Sequence, residues 1–131
     1  ILDGTDNFET RYLANRVAVA QNKPLVSGAL SQWEGQLSVF DPAYGAPCYQ
    51  CVFPKAPAPE LAPSCAVAGV LGPLPGVIGA MMATEAIKLI TDAGTALRGQ
   101  MVIYDALFGE SRTISISRRP DCPICGKDEP H

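Results

Sequence analysis

Two pairs of cysteines set the terms for this chain: Cys48-Tyr49-Gln50-Cys51 near its middle and Cys122-Pro123-Ile124-Cys125 close to its end. Four thiolates make the closed tetrahedral set that a structural Zn²⁺ takes, with no position left for water. The separation between the pairs is far longer than in a short zinc ribbon, so a metal held by all four would clasp segments remote in sequence. Two disulfides, or a redox-active pair, are the other chemistries these residues allow. Pro123 inside one pair and the odd fifth cysteine, Cys65, count against a secreted disulfide framework.

With 131 residues, 47% of them hydrophobic, the chain has the size of one domain and enough apolar side chains for a core. Net charge is -3 and no basic cluster exceeds Arg118-Arg119, so no footprint for nucleic acid is present. No signal-peptide pattern is visible. The longest apolar stretch, around residues 77–90, carries Glu85 and Lys88 and reads as a buried helix rather than a membrane span. A reducing, cytoplasmic setting is expected. Ile1-Leu2 reads as the end of a buried strand, and with no initiator Met an upstream portion is expected to be missing.

Asp3-Gly4-Thr5-Asp6 is the expected turn out of that strand. Asp6 can cap a helix over residues 8–21, with Glu9 completing a capping-box variant and Phe8, Tyr12, Leu13, Val17 and Ala20 on one face. Strands are expected over 23–29 and 34–41. Between Pro54 and Pro75 six prolines fix φ and remove N–H donors, which gives an extended, semi-rigid loop containing Cys65. Pro75 or Gly76 then starts the longest helix, which ends at Asp92-Ala93-Gly94; its Gly76, Gly79, Ala80 and Ala83 favour close packing. Strands at 101–104 and 112–117 follow, the second alternating so that one face is wet. The order is mixed α/β.

Asp3, Asp6 and Asn7 fall where a strand gives way to a helix, the ligand-facing edge of open α/β sheets. Carboxylates there can hold Mg²⁺ on a nucleotide's phosphates. Alternatively, Asp6 only caps and Asp3 only turns. Cys65 is the candidate nucleophile, since a thiolate on an accessible loop can form a thioester or persulfide; a plain loop cysteine is the alternative. The nearest base in sequence is Lys55, and the sole histidine is His131. Neither G-x-G-x-x-G nor G-x-x-x-x-G-K-[ST] occurs, so a phosphate-cradling loop is expected outside these residues.

Taken in order, these motifs resemble a family. They are Asp3-Gly4-Thr5-Asp6-Asn7 with Arg11 and Asn15, residues 24–29, Glu34-Gly35-Gln36, the first C-x-x-C, and Cys65 before Gly69-Val70-Leu71-Gly72-Pro73. Gly79 with Glu85-Ala86-Ile87-Lys88, Tyr104-Asp105 and the closing C-x-x-C-G complete the set. Together they look like the MoeB/ThiF-type adenylyltransferases, relatives of the ubiquitin-activating enzymes, which activate ubiquitin-like sulfur carriers. The resemblance spans essentially the whole chain.

It implies a Rossmann-like α/β domain with a mixed sheet and a structural zinc, of which residues 1–131 would form the C-terminal portion. It also implies ATP and Mg²⁺, and adenylylation of the terminal Gly-Gly carboxylate of a sulfur carrier from the molybdopterin or the thiazole/thiamine pathway. Asp6 matches the acidic residue essential for adenylation and Asn7 lies beside it at the nucleotide. Cys48, Cys51, Cys122 and Cys125 match the zinc ligands, and Cys65 matches a loop cysteine that some members use in sulfur transfer. The proline-rich loop resembles the segment that covers the carrier's tail. A sulfurtransferase or cysteine desulfurase as a further partner, and a homodimer, are implied as well. The glycine-rich half would lie upstream of Ile1, leaving the isolated chain inactive. A zinc-stabilised fragment that binds a ubiquitin-like partner without chemistry is the alternative.

Overall fold

The computed structural model describes residues 1–56 and 69–126. A five-stranded sheet runs in the order β1-β2-β3-β4-β5, built from β1 (Leu2–Asp3), β2 (Leu25–Ser31), β3 (Glu34–Phe40), β4 (Gln100–Asp105) and β5 (Glu110–Ser115). β1 is parallel to β2 and the later pairings are antiparallel, so the sheet is mixed, as expected. Three α-helices accompany it among the described residues: α1 (Phe8–Ala20), α2 (Tyr49–Val52) and α3 (Leu74–Thr91).

Side-chain alternation along the strands separates two cores. Val26, Leu37, Val39 and Val102 pack against Leu74, Ile78 and Met82 of α3. Leu25, Phe40 and Met101 point the other way, toward Ala18 of α1 and Tyr49 of α2. Tyr49 meets Phe40 and Tyr12 edge-on at centroid distances of 5.7 and 5.3 Å.

The close approach of helix to sheet comes from glycines on the strands, not from those on the helix. A Cβ on Gly28 would collide with Met82 Sδ and lie 2.9 Å from Ile78 Cγ2; one on Gly35 would collide with Ile78 Cδ1 and lie 2.5 Å from Ile78 Cγ1. Gly76 and Gly79 face open space. Gly35→Ala is therefore expected to cost about 1–3 kcal/mol in urea unfolding through overpacking. Ile78→Val in the same chain should recover part of that loss; no recovery would put the strain elsewhere.

Four expectations need correction. On α1 the buried residues are Arg11, Asn15 and Ala18, whereas Leu13 and Val17 are about half exposed. Two polar side chains with tertiary partners claim the inner face ahead of the apolar ones. Asn7 rather than Asp6 caps this helix, its Oδ1 accepting from Thr10 N at 2.8 Å. Glu9 is thus one place short of the reciprocal capping-box position. Ile1 and Leu2, expected to be buried, are exposed among the described residues, where β1 has a strand on one side only. β5 forms the opposite edge and is exposed on both faces instead of one.

α3 has the length and hydropathy of a membrane span. It nevertheless lies across the sheet, burying one stripe of Leu74, Ile78, Met82 and Glu85 and leaving Val77, Ile87 and Ile90 in solvent. Glu85 carries two ties: its Oε1 accepts Leu97 N at 2.8 Å and its Oε2 pairs with Lys88 Nζ at 2.6 Å. Asp92, in the left-handed conformation at φ 57°, ends the helix as expected.

Candidate metal centre and the turn carrying Asp6

β3 is followed by Asp41, which is buried and paired through Oδ2 with Arg98 Nε at 2.8 Å. A 3-10 turn, Pro42–Tyr44, closed by Gly45 at φ 86°, then delivers the chain to Cys48. Gly126 ends the second cysteine turn, with its N–H on Cys122 O at 2.8 Å. A Cβ there would lie 2.5 Å from the carbonyl oxygens of both Pro120 and Cys122, so only glycine closes this turn. Arg118 joins the two turns by donating to Pro42 O at 3.1 Å and to Cys125 O.

All four sulfurs meet, as the cysteine pairs predict. Cys48, Cys51, Cys122 and Cys125 are buried, and their Sγ atoms lie within 4.8 Å of one another. The nearest pairs are Cys51 to Cys125 at 3.3 Å, Cys48 to Cys122 at 3.7 Å and Cys48 to Cys51 at 3.9 Å. Zn–S bonds of about 2.3 Å in a tetrahedron put sulfurs about 3.8 Å apart, so the donor set fits zinc in number, type and spacing. None of the four is in a disulfide.

Burial pushes the Cys48 and Cys125 thiols above their ordinary range. At Cys122 burial also acts upward, but the backbone groups of Cys125 and Ile124 outweigh it and the thiol ends lowered. Buried thiolates crowded together need a cation among them. Without metal, the folded protein keeps protons on Cys48 and Cys125 that the unfolded chain releases near pH ~8.5. That contribution to stability is full below the unfolded value and is lost as pH rises from there through the raised folded values, while Cys122, lowered, instead adds stability as pH rises toward the unfolded value. The zinc-loaded protein is expected to behave oppositely, losing metal and stability as pH falls. Thermal melts of both forms across pH check this, and parallel profiles would count against thiolate-bound metal.

At the far end of α1, Asp3 and Asp6 part company. Asp3 is buried and its Oδ1 accepts from Thr5 N at 3.0 Å and Thr5 Oγ1 at 2.7 Å, which makes it a turn residue. Asp6 is exposed, and no hydrogen bond or ion pair among the described residues engages its carboxylate. Asn7 follows it as the helix cap. Cys65, the candidate nucleophile, lies outside the described residues, as does His131.

Sequence reasoning gave Arg11 and Asn15 no role. Arg11, 6% exposed, donates Nη2–H to Thr5 O and to Gly28 O at 2.8 Å, with Nη1 3.5 Å from Ser27 Oγ. It pins the turn preceding Asp6 onto β2. Asn15, 1% exposed, accepts Tyr49 N–H at 2.9 Å and directs Nδ2 at Cys48 Sγ, 3.5 Å away. Their signal was two polar residues four apart, the spacing of one helix face.

The ThiF family model matches residues 1–124. A sulfur carrier protein adenylyltransferase of Thermus thermophilus is 49% identical over 134 residues, covering 99% of this chain and 49% of that protein. A SAMP-activating enzyme E1 of Haloferax volcanii is 47% identical over 127 residues, covering 97% of this chain and 46% of that protein. The chain thus spans about half the length of these curated relatives. Among solved structures, Escherichia coli MccB superposes with a TM-score of 0.78 at 17% identity, over 99% of this chain and 39% of that one, which is a likeness of fold.

Proposed function

Because the chain belongs to the ThiF family, we propose that it is part of an ATP-dependent adenylyltransferase acting on the terminal Gly-Gly carboxylate of a ubiquitin-like sulfur carrier. The observation that carries this reading is Asp6. It is an exposed carboxylate with no partner among the described residues, following the parallel strand β1, on a turn that Arg11 fixes to the neighbouring strand. The named adenylyltransferase from Thermus thermophilus, at 49% identity, supports it.

In the proposed reaction a carrier carboxylate oxygen attacks the α-phosphorus of ATP. The new O–P bond forms as the bond from that phosphorus to the pyrophosphate bridging oxygen breaks, giving an acyl adenylate and pyrophosphate. Mg²⁺, which takes one or two carboxylates along with phosphate oxygens and waters, would offset charge on the phosphates, and Asp6 is the residue fitted to hold it. Asp3 is less suited, since its Oδ1 is engaged by Thr5. Arg11 and the Asn7 cap hold the turn and the first turn of α1 in place, so that the carboxylate needs little reorganisation when nucleotide binds. The glycine-rich phosphate loop is proposed to come from the part of the relatives' length that this chain does not span.

The four cysteines are proposed to hold a structural Zn²⁺, and Cys65 to serve in sulfur transfer, with a sulfurtransferase or cysteine desulfurase as donor. The carrier belongs to the molybdenum-cofactor or the thiamine pathway, and the assembled enzyme is a homodimer. Carrier-dependent exchange of labelled pyrophosphate into ATP tests the central reading on the full-length protein. Exchange that requires the carrier's terminal Gly-Gly is expected. Carrier binding without exchange would replace the enzyme by a binding module.

A further inference from the structure

Helix α2 is short, and its N-cap, Cys48, supplies no side-chain acceptor for its own helix. The acceptor comes from another helix: Asn15 of α1 takes the first amide of α2, Tyr49 N–H, at 2.9 Å. The same carboxamide turns its Nδ2 toward Cys48 Sγ at 3.5 Å. One side chain, 1% exposed, therefore serves two consecutive residues of the cysteine turn with one acceptor and one donor. Aspartate would keep the acceptor and lose the donor, and leucine would lose both. An N–H directed at sulfur favours the thiolate over the thiol, and a metal-bound sulfur remains an acceptor for it.

One helical turn earlier on the same buried face, Arg11 holds Thr5 O and Gly28 O. α1 is therefore anchored at two points, one on the cysteine turn and one on the turn that carries Asp6. The two anchors lie four residues, about 6 Å of helix rise, apart.

We propose that Asn15 is a positioning residue of the four-cysteine metal centre, and that through it metal occupancy governs the order of the turn bearing Asp6. The proposal rests on the reading that the four cysteines hold metal, and its test separates the two. With Asn15→Asp, zinc affinity measured against a chromophoric chelator is expected to fall about 10–100-fold. In the Co²⁺-substituted protein, the sulfur-to-cobalt charge-transfer band is expected to move to longer wavelength, because the Cys48 lone pair loses its hydrogen bond. A side chain that merely fills space would leave that band where it is.

Asn15→Ser provides the same readings without the added charge should the aspartate variant fail to fold. The coupling is read on unaltered protein by amide hydrogen exchange over residues 3–11, expected to quicken at least about tenfold when zinc is stripped, comparable to one typical coupling free energy. Unchanged affinity and an unchanged band in either folded variant would overturn the role of Asn15. Unchanged exchange over residues 3–11 would overturn the coupling. A wild-type protein that takes up neither Zn²⁺ nor Co²⁺ would overturn the metal reading itself.

Discussion

Cys51→Ser is expected to strip the protein of bound zinc, from about one ion per chain to a small fraction of that, and to lower its melting temperature by about 12–20 °C. Cys51 bridges the two halves of the centre, with its sulfur 3.3 Å from Cys125 and 3.9 Å from Cys48. Serine offers a poor ligand in the middle of a buried tetrad. Structural zinc sites in small peptides show apparent binding of about 10–16 kcal/mol, and the unfolded chain's own thiols offset much of that. A net loss of about 3–5 kcal/mol, at roughly 4 °C per kcal/mol, gives the expected shift. Arg118 still ties residues 118–126 to Pro42 O after the metal is lost, so the loss should fall short of global unfolding. Elemental analysis paired with thermal melts decides: a variant that keeps both its zinc and its melting temperature would remove the metal from the account.

Asp6→Asn should do the opposite, leaving the fold alone and disabling the reaction. The Asp6 side chain is exposed and makes none of the contacts that hold α1, because the cap belongs to Asn7. Stability is expected to change by no more than about 0.5 kcal/mol, as for an ordinary surface substitution. Carrier-dependent pyrophosphate exchange in the full-length enzyme is expected to fall about 10²–10³-fold, the scale of removing one electrostatic stabiliser of a transition state. Asn7→Ala is the companion measurement: it should cost about 1 kcal/mol, the usual worth of an N-cap. If Asp6→Asn instead lost about 1 kcal/mol and kept its exchange activity, the carboxylate would be a structural group after all.

What could be read from the residues alone followed how local each cause is. The strand over 34–41 and the stop at Asp92 are set by neighbours in sequence, and they appear where expected. The meeting of Cys48 and Cys51 with Cys122 and Cys125 was also legible, because four soft ligands have few other uses. The inner face of α1 was not: Arg11 and Asn15 look like surface residues until a carbonyl of β2 and a cysteine sulfur are brought beside them. The cap falls one residue later than expected because Asp6 and Asn7 are both good caps, and only the path of the turn selects between them. Close packing of α3 was anticipated from its own small residues, but the room was made by Gly28 and Gly35 on the strands. Such complementarity belongs to a pair of surfaces, and neither surface shows it alone.

The separation of 74 positions from Cys48 to Cys122 also orders events in time. At about 5–20 residues per second on the ribosome, the first pair waits roughly 4–15 s for the second to be made. An ion captured in that interval would sit on two sulfurs and could leave or be exchanged. Its final capture by all four would mark that translation has passed Cys125, and a nascent chain stalled before that point would carry an open half-site that a chelator can reach.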